Sequence, residues 1–395
     1  MAVKYIDQIE MKDQRVMIRV DYNVPYDKEM NITDDTRITA TIPTLDYCLK
    51  NGAKIILVSH LGRPKGQVKQ SLSLKPVAER LAEILKKPVR FIDTPLGDET
   101  IAITKALNNG DIILLENIRF YPGEEKNDRA LGELIAEHAD VFINDAFAAA
   151  HRGHSSNFAV TEFMKTVAAG FLLKSEIEYS QKTIQSAERP FGAIIGGAKV
   201  SSKLDALTNI VSKVDFLIIG GGMAFTFLKA LGYSIGNSLL EEELIDSAKE
   251  IMKKAKEKNI AILLPVDIIG AREFDNDSPN SIYPADSIPD DIIGLDIGPE
   301  SIKLFSEEIK KAKTVIWNGP MGAFEMPNFA CGTNEIAKVL ADSGCLSIVG
   351  GGDSVTAVNK AGVSDRITYI STGGGAFLEV LEGKTLPGIA ALDRY

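Results

Sequence analysis

Residues Phe191–Leu204, FGAIIGGAKVSSKL, lie near the centre of a chain of 395 residues. Ala193-Ile194-Ile195 is a short apolar run of the kind that makes a strand buried on both faces. Gly196-Gly197 break it, and Ala198 onward reads as the first turns of a helix. On that helix Lys199 and Lys203, four apart, share one face. Their charge is the wrong one for a helix N-terminus, which carries partial positive charge and favours Asp or Glu. Two lysines beside glycines that let backbone N–H groups come close point to an anion bound between them. The competing reading is a pair of solvated lysines on an amphipathic helix.

The same pattern extends in both directions. Apolar runs at Val16–Val20, Lys54–Ser59, Val89–Ile92, Ile112–Leu115 and Val141–Ile143 form one group. A second group comprises Ala193–Ile195, Phe216–Ile219, Ala261–Leu264, Thr314–Trp317, Leu346–Val349 and Ile367–Ile370. Helix-like segments separate them, among them Lys75–Lys86, Asp128–Ala139, Leu239–Lys258, Ser301–Ala312 and Thr333–Asp342. Runs joined by helical crossovers predict parallel sheets covered on both faces. The fold class expected is therefore α/β, with two doubly wound, Rossmann-like parallel-sheet domains. Ala168–Pro190 reads as one long helix joining them, a hinge element. The Asp-, Ser- and Pro-rich stretch Asn276–Asp291 reads as a surface connection or small hairpin.

Composition narrows the function. A formal charge of −10 argues against a general nucleic-acid binder, which needs a basic face for phosphates. The three cysteines have neither CxxC spacing nor a metal-ligand pattern, so reduced thiols are expected. No signal peptide or membrane-length apolar run is evident, and a cytoplasmic, soluble protein without a membrane partner is the expectation.

In open parallel sheets ligands sit beyond the carboxyl ends of the strands. After the first group of runs come Asp21 and Asn23, then His60 and Arg63, then Arg119, then His151, Arg152 and His154, with Arg37 following the first strand. Arginine forks match phosphate and carboxylate oxygens two at a time, while Asp21 and Asn23 suit hydroxyls. This edge fits a small, multiply anionic, hydroxylated metabolite; any one arginine alone would read as a surface ion pair. After the second group come Gly196-Gly197, Gly220–Gly222, Asn318-Gly319, Gly350–Gly352 and Gly373–Gly375. Glycine lets backbone approach phosphates closely, so this edge suits a nucleotide. Neither a P-loop nor a GxGxxG after the first strand is present. Asp353 is a candidate to hold a Mg²⁺ travelling with the nucleotide, and equally a helix cap. Glu325 could accept from ribose hydroxyls.

The motifs RVDYNVP (19–25), SHLGRPKG (59–66), LLENIRF (114–120), NDAFAAAHRGHSS (144–156), GGAKVSSK (196–203), GGGMAFTF (220–227), LPVD (264–267), WNGPMGAFE (317–325), GGGDSV (350–355) and STGGGAFLEVLEGKTLPGIAAL (371–392) resemble, in order, those of the phosphoglycerate kinase family. The resemblance covers essentially the whole chain. It implies phosphoryl transfer in glycolysis from 1,3-bisphosphoglycerate to ADP, giving 3-phosphoglycerate and MgATP. It implies an acid-binding domain over residues 1–170, using Asp21, Asn23, Arg37, His60, Arg63, Arg119 and Arg152. It implies a nucleotide domain over 171–380, including the linking helix. That domain would use Lys199, Lys203, Gly220, Gly221, Gly294, Asn318, Glu325, Gly351, Gly352, Asp353 and Ser354. Residues 381–395 are expected to fold back onto the first domain. The family pattern departs at Arg129, where proline is frequent.

For such a kinase the expected mechanism is direct in-line transfer, with the two domains closing to exclude water. Arg37, Lys199 and Lys203 are the expected catalytic residues, Mg²⁺ bound at Asp353 accompanies the nucleotide, and a monomer is expected. A nicotinamide dehydrogenase would need the dinucleotide fingerprint that is missing. A non-catalytic nucleotide- and metabolite-binding protein on the same scaffold is the alternative, separated by an assay for ATP formation.

Overall fold

The computed structural model describes residues 3–394. The apolar runs become strands because Val, Ile and Leu in short stretches can bury both faces only when helices cover the sheet. The first sheet contains β1 (Arg15–Arg19), β2 (Lys54–Val58), β3 (Arg90–Ile92), β4 (Ile112–Leu115), β5 (Val141–Asn144) and β6 (Val167–Ala169), in the order β3-β4-β2-β1-β5-β6. All its pairings are parallel. The chain winds from β1 towards β2 on one side and later to β5 on the other. The strand order therefore reverses between β1 and β5, whose ends Arg19 and Asn144 are register partners.

The second sheet is built the same way. β7 (Phe191–Ile195) and β8 (Phe216–Ile219) are followed by a two-residue β9 (Ser234–Ile235) and by β10 (Ala261–Leu263). Then come β11 (Asp267–Ala271), β12 (Asn280–Pro284), β13 (Ser287–Ile288), β14 (Ile293–Ile297), β15 (Thr314–Asn318), β16 (Leu346–Val349) and β17 (Tyr369–Ile370). The parallel sheet runs β10-β8-β7-β15-β16-β17 and reverses between β7 and β15, where Ile195 pairs with Asn318. Every residue of β7 and β15 is buried. Each sheet has its own core, one gathered around Ile18, Ile55, Leu57 and Leu114, the other around Ile194, Trp317, Ile336 and Val349.

Four expectations need correction. The first sheet has a sixth strand, β6, inside the stretch read as helix; it pairs with β5, and Phe142 N donates to Thr166 O at 3.0 Å. Three residues at a sheet edge are too few to display a period. The linking helix accordingly starts at Phe171, runs to Glu176, is π-helical over Ile177–Lys182, and ends with Thr183–Ser186. Of the two readings of 276–291, the small hairpin holds and the plain surface connection does not: β12 pairs back on β11 within an antiparallel sheet, β12-β11-β14, with β9 and β13 paired separately. Finally, the helix after the central glycines begins only at Leu204, with Lys203 as its N-cap at φ −137°.

The chain divides into two units, Met1–Glu178 with Thr385–Tyr395, and Tyr179–Lys384. The division falls within the linking helix. Its first turn belongs to the former unit, where the Phe171 ring meets Tyr47 edge-on at 5.2 Å and Leu173 N donates to Asp145 Oδ1 at 3.1 Å.

Candidate active site

In the first unit the residues after β1, β2, β4 and β5 converge. Asp21 is buried beyond the end of β1 and is paired with Arg37, which stands on the short helix Thr36–Thr39. Burial opposes ionisation of Asp21, but its basic neighbours, Arg37 and Arg19 among them, outweigh it and hold the carboxyl below its ordinary value. Asn23 Oδ1 accepts from Gly62 N at 2.8 Å, which ties the β1 exit to the loop carrying His60 and Arg63. Arg119 fixes the same loop from the β4 exit, donating from Nη1 to Gly62 O at 2.7 Å. Its side chain is buried, its Nε makes no hydrogen bond, and Glu125 lies 3.3 Å away. Arg152 donates from Nε to His151 Nε2 at 2.9 Å.

These groups disfavour one another's charged forms. Burial, then Arg119, Arg19 and Arg152, push His154 down to about 3, so it is neutral at pH 7. Burial also lowers Arg119, with Arg19 and Arg152 adding to the effect and Glu125 opposing it. The structure thus brings Asp21, Asn23, Arg37, His60, Arg119 and Arg152 to one face, with Arg63 exposed one residue beyond Gly62. Arg63 makes no hydrogen bond or ion pair within the described residues. Four guanidiniums gathered at one set of strand ends, with only Arg37 and Arg119 paired to carboxylates, suit a polyanion. His138 lies elsewhere, on the β5-side helix turn, with Nδ1 2.8 Å from Leu134 O.

In the second unit the site gathers where the strand order reverses. Lys199 and Lys203 do not share a helix face. Residues 196–203 form an irregular loop, because Gly197 at φ +110° turns the chain back towards β15. Lys203 Nζ instead donates to Gly196 O at 2.7 Å and to Asn318 O at 2.9 Å, the two carbonyls at the ends of β7 and β15. Gly319 at φ +100° makes room for it; a Cβ there would lie 2.4 Å from that ammonium. Burial pushes Lys203 down to about 8, with Asp353 opposing. Lys199 is exposed.

Beside this point opens a cavity of about 520 Å³. Lys199, Gly221, Gly294, Glu325 and Asp353 line it. Gly220, Asn318, Gly351, Gly352, Ser354 and Lys203 are not part of its lining. Asn318 Nδ2 donates to Gly350 O at 3.0 Å, Ser354 Oγ accepts from Gly319 N, and Gly352 opens the helix Gly352–Lys360. The remaining wall is apolar, with Phe225, Leu239, Ile268 and Phe274 among its residues. A slot with apolar sides and a glycine rim suits a planar base with phosphates at its end. Asp353 is exposed and makes no hydrogen bond or ion pair within the described residues, leaving its oxygens open to a ligand.

The phosphoglycerate kinase family profile matches residues 6–384. The chain belongs to the phosphoglycerate kinase family. It is accordingly an enzyme, a kinase of glycolysis that transfers phosphoryl groups with a carboxyl group as acceptor. The phosphoglycerate kinase of Thermosynechococcus vestitus is 52% identical, over 99% of this chain and 98% of the relative. That of Geobacter metallireducens is also 52% identical, over 100% and 99%. Among solved structures, the phosphoglycerate kinase of Coxiella burnetii matches with a TM-score of 0.91 and 40% identity, covering 100% of this chain and 99% of that one. The enzyme of Pyrococcus horikoshii matches at 0.84 and 30% identity, covering 99% and 98%.

For a member of this family, the apolar wall of the cavity was not legible in the sequence. Phe225 stands on a helix, Ile268 on β11, and Leu239 and Phe274 in two loops, and nothing in their spacing brings them together. Arg19 was missed as well, although a signal existed: one arginine inside the otherwise apolar run VMIRV.

Proposed function

We propose that the basic face of the first unit binds 3-phosphoglycerate and its acyl phosphate, and that the cavity of the second binds ADP or ATP. One observation carries this: each sheet reverses its strand order once, and the two reversals carry opposite equipment, guanidiniums at one and glycines around Lys203 at the other. Arg63, Arg119, Arg152 and His60 grip the phosphate that is not transferred, and Asp21 and Asn23 take the hydroxyl. Lys199 holds nucleotide phosphates. Arg37 and Lys203 stabilise the phosphoryl group in flight, which carries spread charge and needs positioning more than covalent help.

A lone free carboxylate beside a phosphate site fits Mg²⁺, which takes few protein ligands and several phosphate oxygens. Asp353 would hold it, and the ion when bound neutralises phosphate charge. The remaining work is done by the chain: Lys203 leaves its two carbonyls for a phosphoryl oxygen, and Arg37 divides its fork between Asp21 and the acid. We read the protein as a cytoplasmic monomer with no nucleic-acid or membrane partner. No helix among the described residues is long and apolar enough to cross a membrane.

Calorimetry on Arg152→Ala tests the division of labour. Binding of 3-phosphoglycerate should weaken by about tenfold or more, as expected when a charge-assisted pair is lost, while ADP binds as before. Loss of ADP binding instead would reverse the assignment of the two units.

A further inference from the structure

Arg19 ends β1 and is wholly buried, yet its guanidinium reaches the underside of the basic face. Its Nε donates to Ser156 Oγ at 2.8 Å, Nη1 donates to Val20 O, and Nη2 lies 3.1 Å from His60 Nδ1. A guanidinium carries five N–H donors and no acceptor. The contact therefore makes His60 Nδ1 an acceptor, and the ring proton belongs on Nε2. The other neighbour of Nδ1, Asp21 Oδ1, is 3.8 Å away, beyond hydrogen-bond reach. That carboxylate is already engaged by Arg37 and by Asn23 N. His60 Nε2 has no hydrogen bond within the described residues and is not among the buried atoms that lack one. It is the ring nitrogen left open to a ligand.

Arg19 is itself held from behind. Ser156 Oγ donates to Glu124 Oε1 at 2.6 Å, and Glu124 Oε2 accepts from Ser156 N at 2.9 Å. Glu124 is fully buried, and its attraction for Arg19 partly offsets the burial of both groups. A carboxylate, a hydroxyl, a guanidinium and an imidazole thus form one chain of hydrogen bonds running from the core to the face.

We propose that Arg19 is a positioning residue that holds His60 as the neutral Nε2–H tautomer, so that His60 meets the acid substrate as a fixed hydrogen-bond donor. The proposal rests on the reading of the basic face as the acid site. The surroundings of the imidazole agree with it. Burial drives His60 well below its ordinary value, Arg19, Arg119 and Arg37 act in the same direction, and Asp21 alone opposes. A neutral donor adds a directed contact without placing another cation among the arginines, and it does not switch with pH.

The test is ¹⁵N NMR of histidine-labelled full-length protein without ligand, from about pH 5.5 to 8.5, a range spanning the ordinary imidazole titration. His60 should show a protonated Nε2, a bare Nδ1 and no titration. A proton on Nδ1, or a midpoint inside that range, overturns the proposal, and this measurement needs no variant to fold. In Arg19→Met combined with Glu124→Gln, which removes both buried charges, the ring should stay neutral, because burial, Arg119 and Arg37 remain, but its ¹⁵N shifts should report a mixture of the Nδ1–H and Nε2–H tautomers. The KM for 3-phosphoglycerate should rise about tenfold there, the loss expected for one hydrogen bond, with the KM for ADP unchanged. Retention of a single Nε2–H tautomer in that variant would show that Arg19 does not set it. Adding 3-phosphoglycerate to the wild type separates the two claims: a His60 signal of the stated tautomer that does not move leaves Arg19 its role and sinks the acid site.

Discussion

Lys203 shows how one side chain can be poised between two states. In the free protein its ammonium satisfies the carbonyls of Gly196 and Asn318, and burial lowers it to about 8. A lysine near 8 is partly neutral in mildly alkaline solution, and the neutral amine cannot stabilise a phosphoryl group. The free enzyme should therefore lose kcat/KM as pH rises through about 8. The limb in kcat should sit higher, because a bound anion favours the charged form. Lys203→Ala should lower turnover by about 100-fold, comparable to removing one electrostatic stabiliser, and should flatten the alkaline limb. Steady-state profiles of both proteins check this; a limb near 8 that survives in Lys203→Ala assigns it to another group. That a lysine follows the central glycines was legible in the sequence. Its fold-back onto the carbonyls of Gly196 and Asn318 was not, because φ +110° at Gly197 unwinds the helix that spacing alone suggested.

At the scale of the element, the linking helix is the informative case. Its first turn needs partners for exposed N–H groups. Thr44 Oγ1 accepts from Phe171 N at 2.9 Å, and Asp145 Oδ1 accepts from Leu173 N at 3.1 Å. Asp145 occupies the space where Gly170 would otherwise carry a Cβ, with Oδ1 only 2.2 Å from that position. Its other oxygen has no hydrogen bond, and burial raises the carboxyl to about 6 despite the backbone donors. The folded state therefore holds more protons than the unfolded state between about pH 4 and 6, and stability falls as pH rises through that window. Asp145→Asn should remove the fall. The stability of the variant relative to wild type should increase by about 2 kcal/mol between about pH 4.5 and 7.5, as read by denaturant unfolding at both pH values. Taking the difference between pH values cancels any fixed cost of the new amide. An unchanged difference would place the carboxyl near its ordinary value. The helix was legible from its apolar positions Phe171, Leu172, Ile177 and Ile184. Its start was not, because Val167–Ala169 looks equally helical until β5 is there to pair with it, and Gly170 is a requirement imposed by a residue far away in the chain.

For the molecule as a whole, the parallel sheets and the basic or glycine-rich residues at their carboxyl ends follow from runs of branched apolar residues and what comes after them. The antiparallel sheet β12-β11-β14 was legible only as the alternative of a small hairpin, because its outer strand Asn280–Pro284 is largely exposed and gives little apolar signal. The chain terminus tests how the two units divide the work. Residues 385–395 belong with the first unit, although the preceding residues belong with the second. Leu386 and Leu392 are fully buried and Ile389 is 6% exposed. Gly388 O accepts from Asn144 Nδ2 at 3.3 Å, and a Cβ on Gly388 would lie 3.0 Å from Ala150 Cα, on the helix that precedes His151 and Arg152. Burying three such side chains contributes roughly 5–9 kcal/mol before ordering entropy is subtracted. That is comparable with the whole stability of a domain, about 5–15 kcal/mol. Removing residues 385–395 should therefore unfold the first unit or loosen it to a state without fixed packing. The second unit, one uninterrupted segment with its own core, should stay folded. Calorimetry of the truncated chain should show a surviving transition that ADP raises and 3-phosphoglycerate does not. If 3-phosphoglycerate binds the truncated chain as tightly as the full one, the terminal segment does not hold the acid face together, and the order of the β5 exit loop must come from within residues 1–178 alone.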